Sequence, residues 1–135
     1  FSYLSSGGTT IWTGNATFQN DVAGIGRDDA SGLHQKQSKS VNYGAILTMS
    51  TQAIAADNDA NTTSLDDGEF LMWGNNNAST SAYADLPTDG GYTGRLQKEW
   101  LIDMTGTVAN VHVEFDLSDQ HLNLAGDAAS DLGLM

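Results

Sequence analysis

The stretch GIGRDDASGLHQKQS, residues 24–38, is the most informative segment of this chain and decides its expected fold. It holds two of only five basic residues and places one of them directly before two aspartates. In a chain with a formal net charge of -12, such a cluster is unexpected on a random surface. We predict a tight glycine turn at 24–26, then an Arg/Asp cluster, then a polar strand.

The Arg/Asp cluster consists of Arg27, Asp28 and Asp29, and it has two interpretations. In the first, a partly buried Arg–Asp pair fixes the turn at 24–26 against neighbouring strands. In the second, the planar guanidinium clamps an anion or the hydroxyls of a sugar. The pattern favours the structural interpretation, and Gly-x-Gly without a third glycine does not match a dinucleotide-binding loop.

Composition and patterning predict one all-β domain over residues 1–135. Glycine, Ser, Thr and Asn are abundant, whereas Lys, Arg and Glu are few, which favours short strands and turns over helices. The apolar run 69–74 predicts a central strand, and residues 108–117 alternate, with Val113 on the expected buried face. We therefore predict a β-sandwich of about seven to eight strands, Ig-like or jelly-roll-like, with long polar loops such as 51–68.

The charge balance and the absence of cysteine limit the classes of function. Acidic residues number 17 against 5 basic ones, so we expect repulsion from nucleic acids and from anionic membranes. No apolar run approaches the roughly 18 residues of a membrane-spanning helix, and we expect no membrane insertion. Without cysteine, disulfides, thiol catalysis and zinc–thiolate sites are excluded. The acidity either keeps the protein soluble or supplies carboxylates to hard cations.

The polar loop 51–68 carries the candidate metal ligands. Carboxylate and amide oxygens at suitable spacing can wrap calcium, and the candidates are Asp57, Asp59, Asn61 and Asp66, with Asp67 as a further option. The EF-hand pattern fails, because Thr62 and Gly68 stand where it needs glycine and glutamate. A looser calcium loop and a solvated polar loop are the two remaining interpretations, and no other cofactor is expected except covalent glycans.

Three sequons make Asn15, Asn61 and Asn77 candidate sites for covalent glycans. A chain this rich in Asn, Ser and Thr gives nearly that many by chance. Glycans at all three positions would suit a fibre whose surface is covered with sugars.

No catalytic residue is predicted, and we expect no enzyme. His34, His112 and His121 lack a metal-ligand spacing, and no nucleophile elbow is present. Glu114 and Asp116 lie on the outward parity of one strand, where an acidic stripe is favoured over a glycosidase pair. The tryptophans lie in apolar contexts that favour core packing over stacking on sugars; they are Trp12, Trp73 and Trp100.

Residues 24–38 resemble the signature GIGRDDxSGLxQKQS of a bacterial cell-surface or secreted domain of unknown function. The similarity covers nearly the whole chain, through the segments 5–12, 70–75, 95–100 and 111–117. His34 stands where the family usually has a small polar residue. The resemblance implies an extracellular location and no known enzymatic activity. Family members typically continue past 132–135 into an acidic strand, so either the chain is trimmed or another chain supplies that strand.

These observations predict a non-enzymatic structural subunit of a bacterial surface array or filament, with copies of itself as the partner. The extended residues 1–4 and the unfinished C-terminal strand suggest that one copy completes the sandwich of its neighbour by β-strand complementation. The alternative is a carbohydrate-binding adhesion module that uses exposed aromatic side chains and calcium in the long loops, with surface glycans as partners.

Overall fold

The structure is a computed structural model that describes residues 1–80, 82–83 and 94–116. Within these residues all regular secondary structure is β-strand, which confirms the all-β prediction. The strands are β1 (Ser2–Leu4), β2 (Thr10–Thr13), β3 (Asn20–Asp28), β4 (Leu33–Gln35), β5 (Gln37–Lys39), β6 (Leu47–Ser50), β7 (Phe70–Asn75), β8 (Ala82–Tyr83), β9 (Arg95–Leu96), β10 (Trp100–Thr105) and β11 (His112–Phe115). They outnumber the seven or eight expected because several are pairing segments of two or three residues.

A four-stranded antiparallel sheet forms the first layer, in the order β10-β7-β3-β4. The apolar strand predicted at 69–74 is β7, and it lies inside this sheet as expected. The register pairs Ala23 with Trp73 and Ile25 with Leu71, so apolar side chains of both strands share one face.

A three-stranded antiparallel sheet, in the order β11-β6-β5, forms the second layer. Its buried Leu47 and Met49 meet the apolar face of the first sheet. The resulting core consists of Ile25, Leu47, Met49, Leu65, Leu71, Trp73 and Val108. Two antiparallel sheets packed over one apolar core are the predicted β-sandwich.

The first two strands form a separate hairpin, in which Gly8 N donates to Ser5 O at 3.0 Å across the predicted turn. Strand β2 packs against β7 and β10 and buries Trp12. Residues 1–4, which were expected to be available to a neighbouring copy, therefore already pair within their own chain through β1. Trp73 is buried and Trp100 partly buried against the core, so the core interpretation fits all three tryptophans.

The turn predicted at 24–26 is wrong. Gly24 and Gly26 lie inside β3, where an added Cβ would lie 2.2 Å from Met72 Sδ and 2.2 Å from Phe70 Cδ1, respectively. The glycines thus allow two β7 side chains to cross the strand closely. The turn comes after β3, where Gly32 has a φ of 71° and its N–H donates to Asp29 O at 3.2 Å.

Strand β8 follows β7 in the chain and pairs with β9. The C-terminal strand expected to be cut short lies outside the described residues. In the part of the chain that is described, no helix is long and apolar enough to span a bilayer.

Candidate functional site

The Arg/Asp cluster is divided between two hydrogen-bond networks. Arg27 Nε and Nη2 donate to the Asp29 carboxylate at 2.6 and 3.2 Å, and Nη1 donates to Leu65 O at 2.9 Å. Asp28 instead accepts from Ser6 N at 2.6 Å and from Ser6 Oγ at 2.5 Å. These hydrogen bonds lower the pKa of Asp28 below its ordinary value of 3.8. All three guanidinium nitrogens therefore have partners inside the chain, which favours the structural interpretation over the clamp.

His34 joins the same region to the loop 51–68. Its Nε2 accepts from Leu65 N at 3.3 Å, which requires an unprotonated Nε2. Burial first, and then the positive charges of Arg27 and Lys36, lower the pKa of His34 below 6.5, against a weaker opposing effect of Asp29.

We expect His34 to make folding stability depend on pH. Above the ordinary pKa of 6.5, the imidazole is neutral in both the folded and the unfolded state. Below it, the unfolded chain takes up a proton that the folded chain binds less readily, so stability falls until pH passes the lowered folded pKa. Thermal unfolding between about pH 7 and pH 5 measures this fall. His34→Gln should reduce it, whereas His112→Gln, an exposed control, should retain it; equal falls in the wild type and in His34→Gln would contradict the assignment.

The candidate calcium ligands are not brought together. Asn61 is fully buried, where its Nδ2 donates to Ser50 Oγ at 2.9 Å and its Oδ1 accepts from Thr63 N at 3.1 Å. The exposed Asp57 uses its Oδ1 to accept from Ala60 N at 2.8 Å. The described residues contain no group of three or more His, Cys, Asp or Glu side chains that could hold a metal ion, so Asp57, Asp59 and Asp66 do not form one. Asn61 is an internal anchor of the loop and not an open ligand.

Sequence reasoning missed Asn58, which covers a strand edge. Its Nδ2 donates to His34 O at 2.8 Å, and its Oδ1 accepts from Lys36 N at 2.7 Å. The side-chain amide thus takes the place that the backbone of an added strand would take beside β4. Gln37 of β5 makes the reverse contact, since its side chain accepts from the loop Ala55 N at 3.0 Å and donates to Ala55 O at 3.1 Å. An asparagine in a polar loop indicates only a turn, so this role cannot be predicted from the sequence.

The three sequons differ in accessibility. Asn15 and Asn77 are exposed, and Asn15 Oδ1 accepts from Thr17 N at 2.8 Å. Unlike the other two, the Asn61 amide is buried in the folded chain, where it is hydrogen-bonded.

The two carboxylates weighed as a glycosidase pair both have basic neighbours. Glu114 lies 3.9 Å from His112 Nε2, and Asp116 lies 3.4 Å from Lys39 Nζ. This arrangement is typical of a solvated acidic surface. His121 lies outside the described residues.

The outer edge of β10 is the candidate interaction surface. Strand β10 is the last strand of the four-stranded sheet, and no described strand pairs with its other side. Its exposed apolar side chains are Leu101 at 37%, Ile102 at 50% and Met104 at 52%. A strand of six residues that has apolar side chains, and one side left unpaired by the described residues, is a template for pairing with another chain. We call Trp100–Thr105 with its unpaired side the β10 edge.

The sandwich is also open along this edge. Ile102 pairs with Trp73 and Met104 with Leu71, so both side chains project to the core-facing side of the sheet although they are half exposed. On the second sheet, Val113 pairs with the buried Met49 but is 41% exposed. The predicted burial along 108–117 is therefore incomplete, since the inner faces are not fully covered at β10 and β11.

Comparison with protein-family models matches residues 1–130 to a domain of unknown function (DUF8202). Comparison with curated proteins and with solved structures gave no match.

Proposed function

The chain belongs to the DUF8202 family, whose description states no function, and we propose that it is a non-enzymatic structural subunit of a bacterial surface array or filament. The proposed partner is another copy of the chain, and the proposed joint is pairing of strand edges. The observation that carries the proposal is the β10 edge, where a backbone side that no described strand pairs coincides with exposed apolar side chains.

The β10 edge can pair with itself. If two copies run antiparallel about a two-fold axis through Ile102, Trp100 lies opposite the second copy's Met104, and Leu101 opposite its Asp103. An axis perpendicular to the sheet keeps each side chain on its original face. Two four-stranded sheets thus become one sheet of eight strands, and the core-facing apolar side chains of each copy gain cover from the other.

Other strand edges are less suited to this role. Asn58 occupies backbone groups beside β4 through its bonds to His34 O and Lys36 N. Strand β1 has only three residues and pairs with β2. Blocking of edges is a common protection against unwanted pairing, so an unblocked edge of six residues is the better candidate for a joint.

A two-fold joint closes after two copies, because each copy uses the same edge. The pair is therefore the proposed building block, and a second contact between pairs extends the array. The extracellular location belongs to the same proposal. Its support is the acidic composition, which keeps an exposed surface protein soluble. Immunogold electron microscopy of native cells tests the location and the presence of a regular array.

Association through the β10 edge is expected to strengthen with salt. Each copy carries a formal charge of -12, so two copies repel at long range. Raising NaCl from about 0.01 M to about 0.5 M shortens the Debye length several-fold and weakens this repulsion, while apolar contacts persist. Sedimentation velocity across a concentration series should show a dimer fraction that rises with salt. A chain that stays monomeric at every salt concentration, or that dissociates as salt is added, would contradict the proposed joint.

A further inference from the structure

A polar cleft of about 520 Å³ lies on the surface where the start of β3, the loop 40–46 and the segment after β7 meet. Its lining carries one carboxylate, one ammonium group, an amide, hydroxyls and one aromatic ring. The contributing residues are Asp21, Tyr43, Asn77, Ser79, Thr80 and Lys98. No residue of the β10 edge lines the cleft, whereas the sequon at Asn77 does.

Backbone strain coincides with this cleft. Asp21 has a φ of 51° and Asn77 a φ of 55°, and they are the only non-glycine residues with positive φ in the described part of the chain. A register shift between Asn20 and Ala23 places a bulge at Asp21. Bulges redirect side chains, and strained residues that gather at one concave surface point to a binding role.

Asn75 holds both strained residues in place. Its Nδ2 donates to Asp21 Oδ2 at 2.6 Å, and its Oδ1 accepts from Asn77 N at 2.8 Å. Asn42 Nδ2 donates to the other Asp21 oxygen at 3.0 Å. Asn75 is itself buried, so one internal side chain fixes two walls of the cleft before any ligand arrives.

We propose that this cleft binds a neutral glycan. The formal charges of Asp21 and Lys98 balance, so the lining favours neither ionic sign, and a sugar without net charge can use donors and acceptors of both kinds. Tyr43 is 86% exposed at the rim, where its ring offers a face for the C–H surface of a sugar ring. The proposal needs no calcium, because the amide, hydroxyl and charged groups supply the polar contacts.

A panel of neutral oligosaccharides tests the proposal, with hexamers of glucose, mannose and N-acetylglucosamine as probes in titration calorimetry. We expect at least one to bind, and Tyr43→Ala and Lys98→Ala each to raise its Kd by about tenfold, as expected for loss of one good contact. Val41→Ala is the matched control, since Val41 is exposed in the same loop but is not among the residues that line the cleft. Its Kd should equal that of the wild type.

Three outcomes would overturn the proposal: no hexamer binds, binding persists unchanged in both cleft variants, or sialylated glycans bind in preference to neutral ones. Circular dichroism of each variant confirms that the fold is retained. Because Tyr43 lies outside β10 and carries no formal charge, self-association of Tyr43→Ala measured on the same samples should be unchanged.

Discussion

Replacing Asn61 with alanine is expected to lower the free energy of unfolding by about 2–5 kcal/mol, because each buried polar group left without a partner costs about 1–3 kcal/mol. Asn61 is fully buried and bonds Ser50 Oγ and Thr63 N through opposite ends of its amide. Lys36 Nζ also donates to Asn61 O, so the loop meets the link between β4 and β5 at this residue. Alanine removes the bonds to Ser50 and Thr63 N and the further side-chain bonds of Asn61 with Lys36 O, Thr51 Oγ1 and Thr63 Oγ1, and it leaves a small cavity.

Urea denaturation of Asn61→Ala measures this loss, and Asp59→Ala is the matched control from the same loop. Asp59 is exposed, so its substitution should change the free energy of unfolding by no more than about 0.5 kcal/mol. Calcium chloride should not shift the wild-type transition. If calcium raised stability and Asp59→Ala abolished the gain, the loop would be a metal site after all, and the structural role of Asn61 would be the secondary one.

The sequence predicts the layers of this fold better than its connections. Composition and alternation identify β7 as a central strand and the all-β class, because both depend on which side chains are apolar. They do not distinguish glycines that form a turn from Gly24 and Gly26, which make room for Met72 and Phe70 across a strand. That distinction depends on a neighbour almost 50 residues away, and residue spacing carries no information about it.

The polar residues show the same limit. Asp57 and Asn61 form one spacing pattern in the sequence, yet one is exposed and the other is fully buried. Asn58 mimics a strand, and Asn75 organises a cleft, through partners 22 to 54 residues away. Amide side chains hydrogen-bond equally well to water, to turns and to buried groups, so only the tertiary contacts show which role each amide has. The sequence alone favours a structural role for the Arg/Asp cluster, but it does not predict that Asp28 and Asp29 belong to different hydrogen-bond networks.

Ile102→Lys is expected to weaken self-association by about tenfold or more. In the proposed pair the two copies of residue 102 lie directly opposite each other, so the substitution places two like charges in contact and removes apolar cover. Lysine is also the residue with which natural edge strands prevent pairing. Because Ile102 is half exposed in the single chain, the variant should fold with little loss of stability. Sedimentation equilibrium at high salt measures the change in dissociation constant.

Asp103→Asn, a substitution on the same strand, is expected to strengthen self-association instead of weakening it. It removes one negative charge per copy from the joint, so association should strengthen, most clearly at low salt. Glu114→Gln removes the same charge from β11 and is the matched control. An equal effect of both variants would indicate that total charge, and not the β10 edge, governs association.

Cross-linking at position 102 tests the central claim most directly. The chain has no cysteine, so Ile102→Cys introduces a single thiol. Directly opposed residues of antiparallel strands have Cα atoms about 4.5–5.5 Å apart, within the range that a disulfide spans. We predict that mild oxidation converts Ile102→Cys to a covalent dimer, while Val41→Cys, at a position 101% exposed, stays monomeric. Cross-linking of Ile102→Cys that is no faster than that of Val41→Cys would contradict pairing through β10.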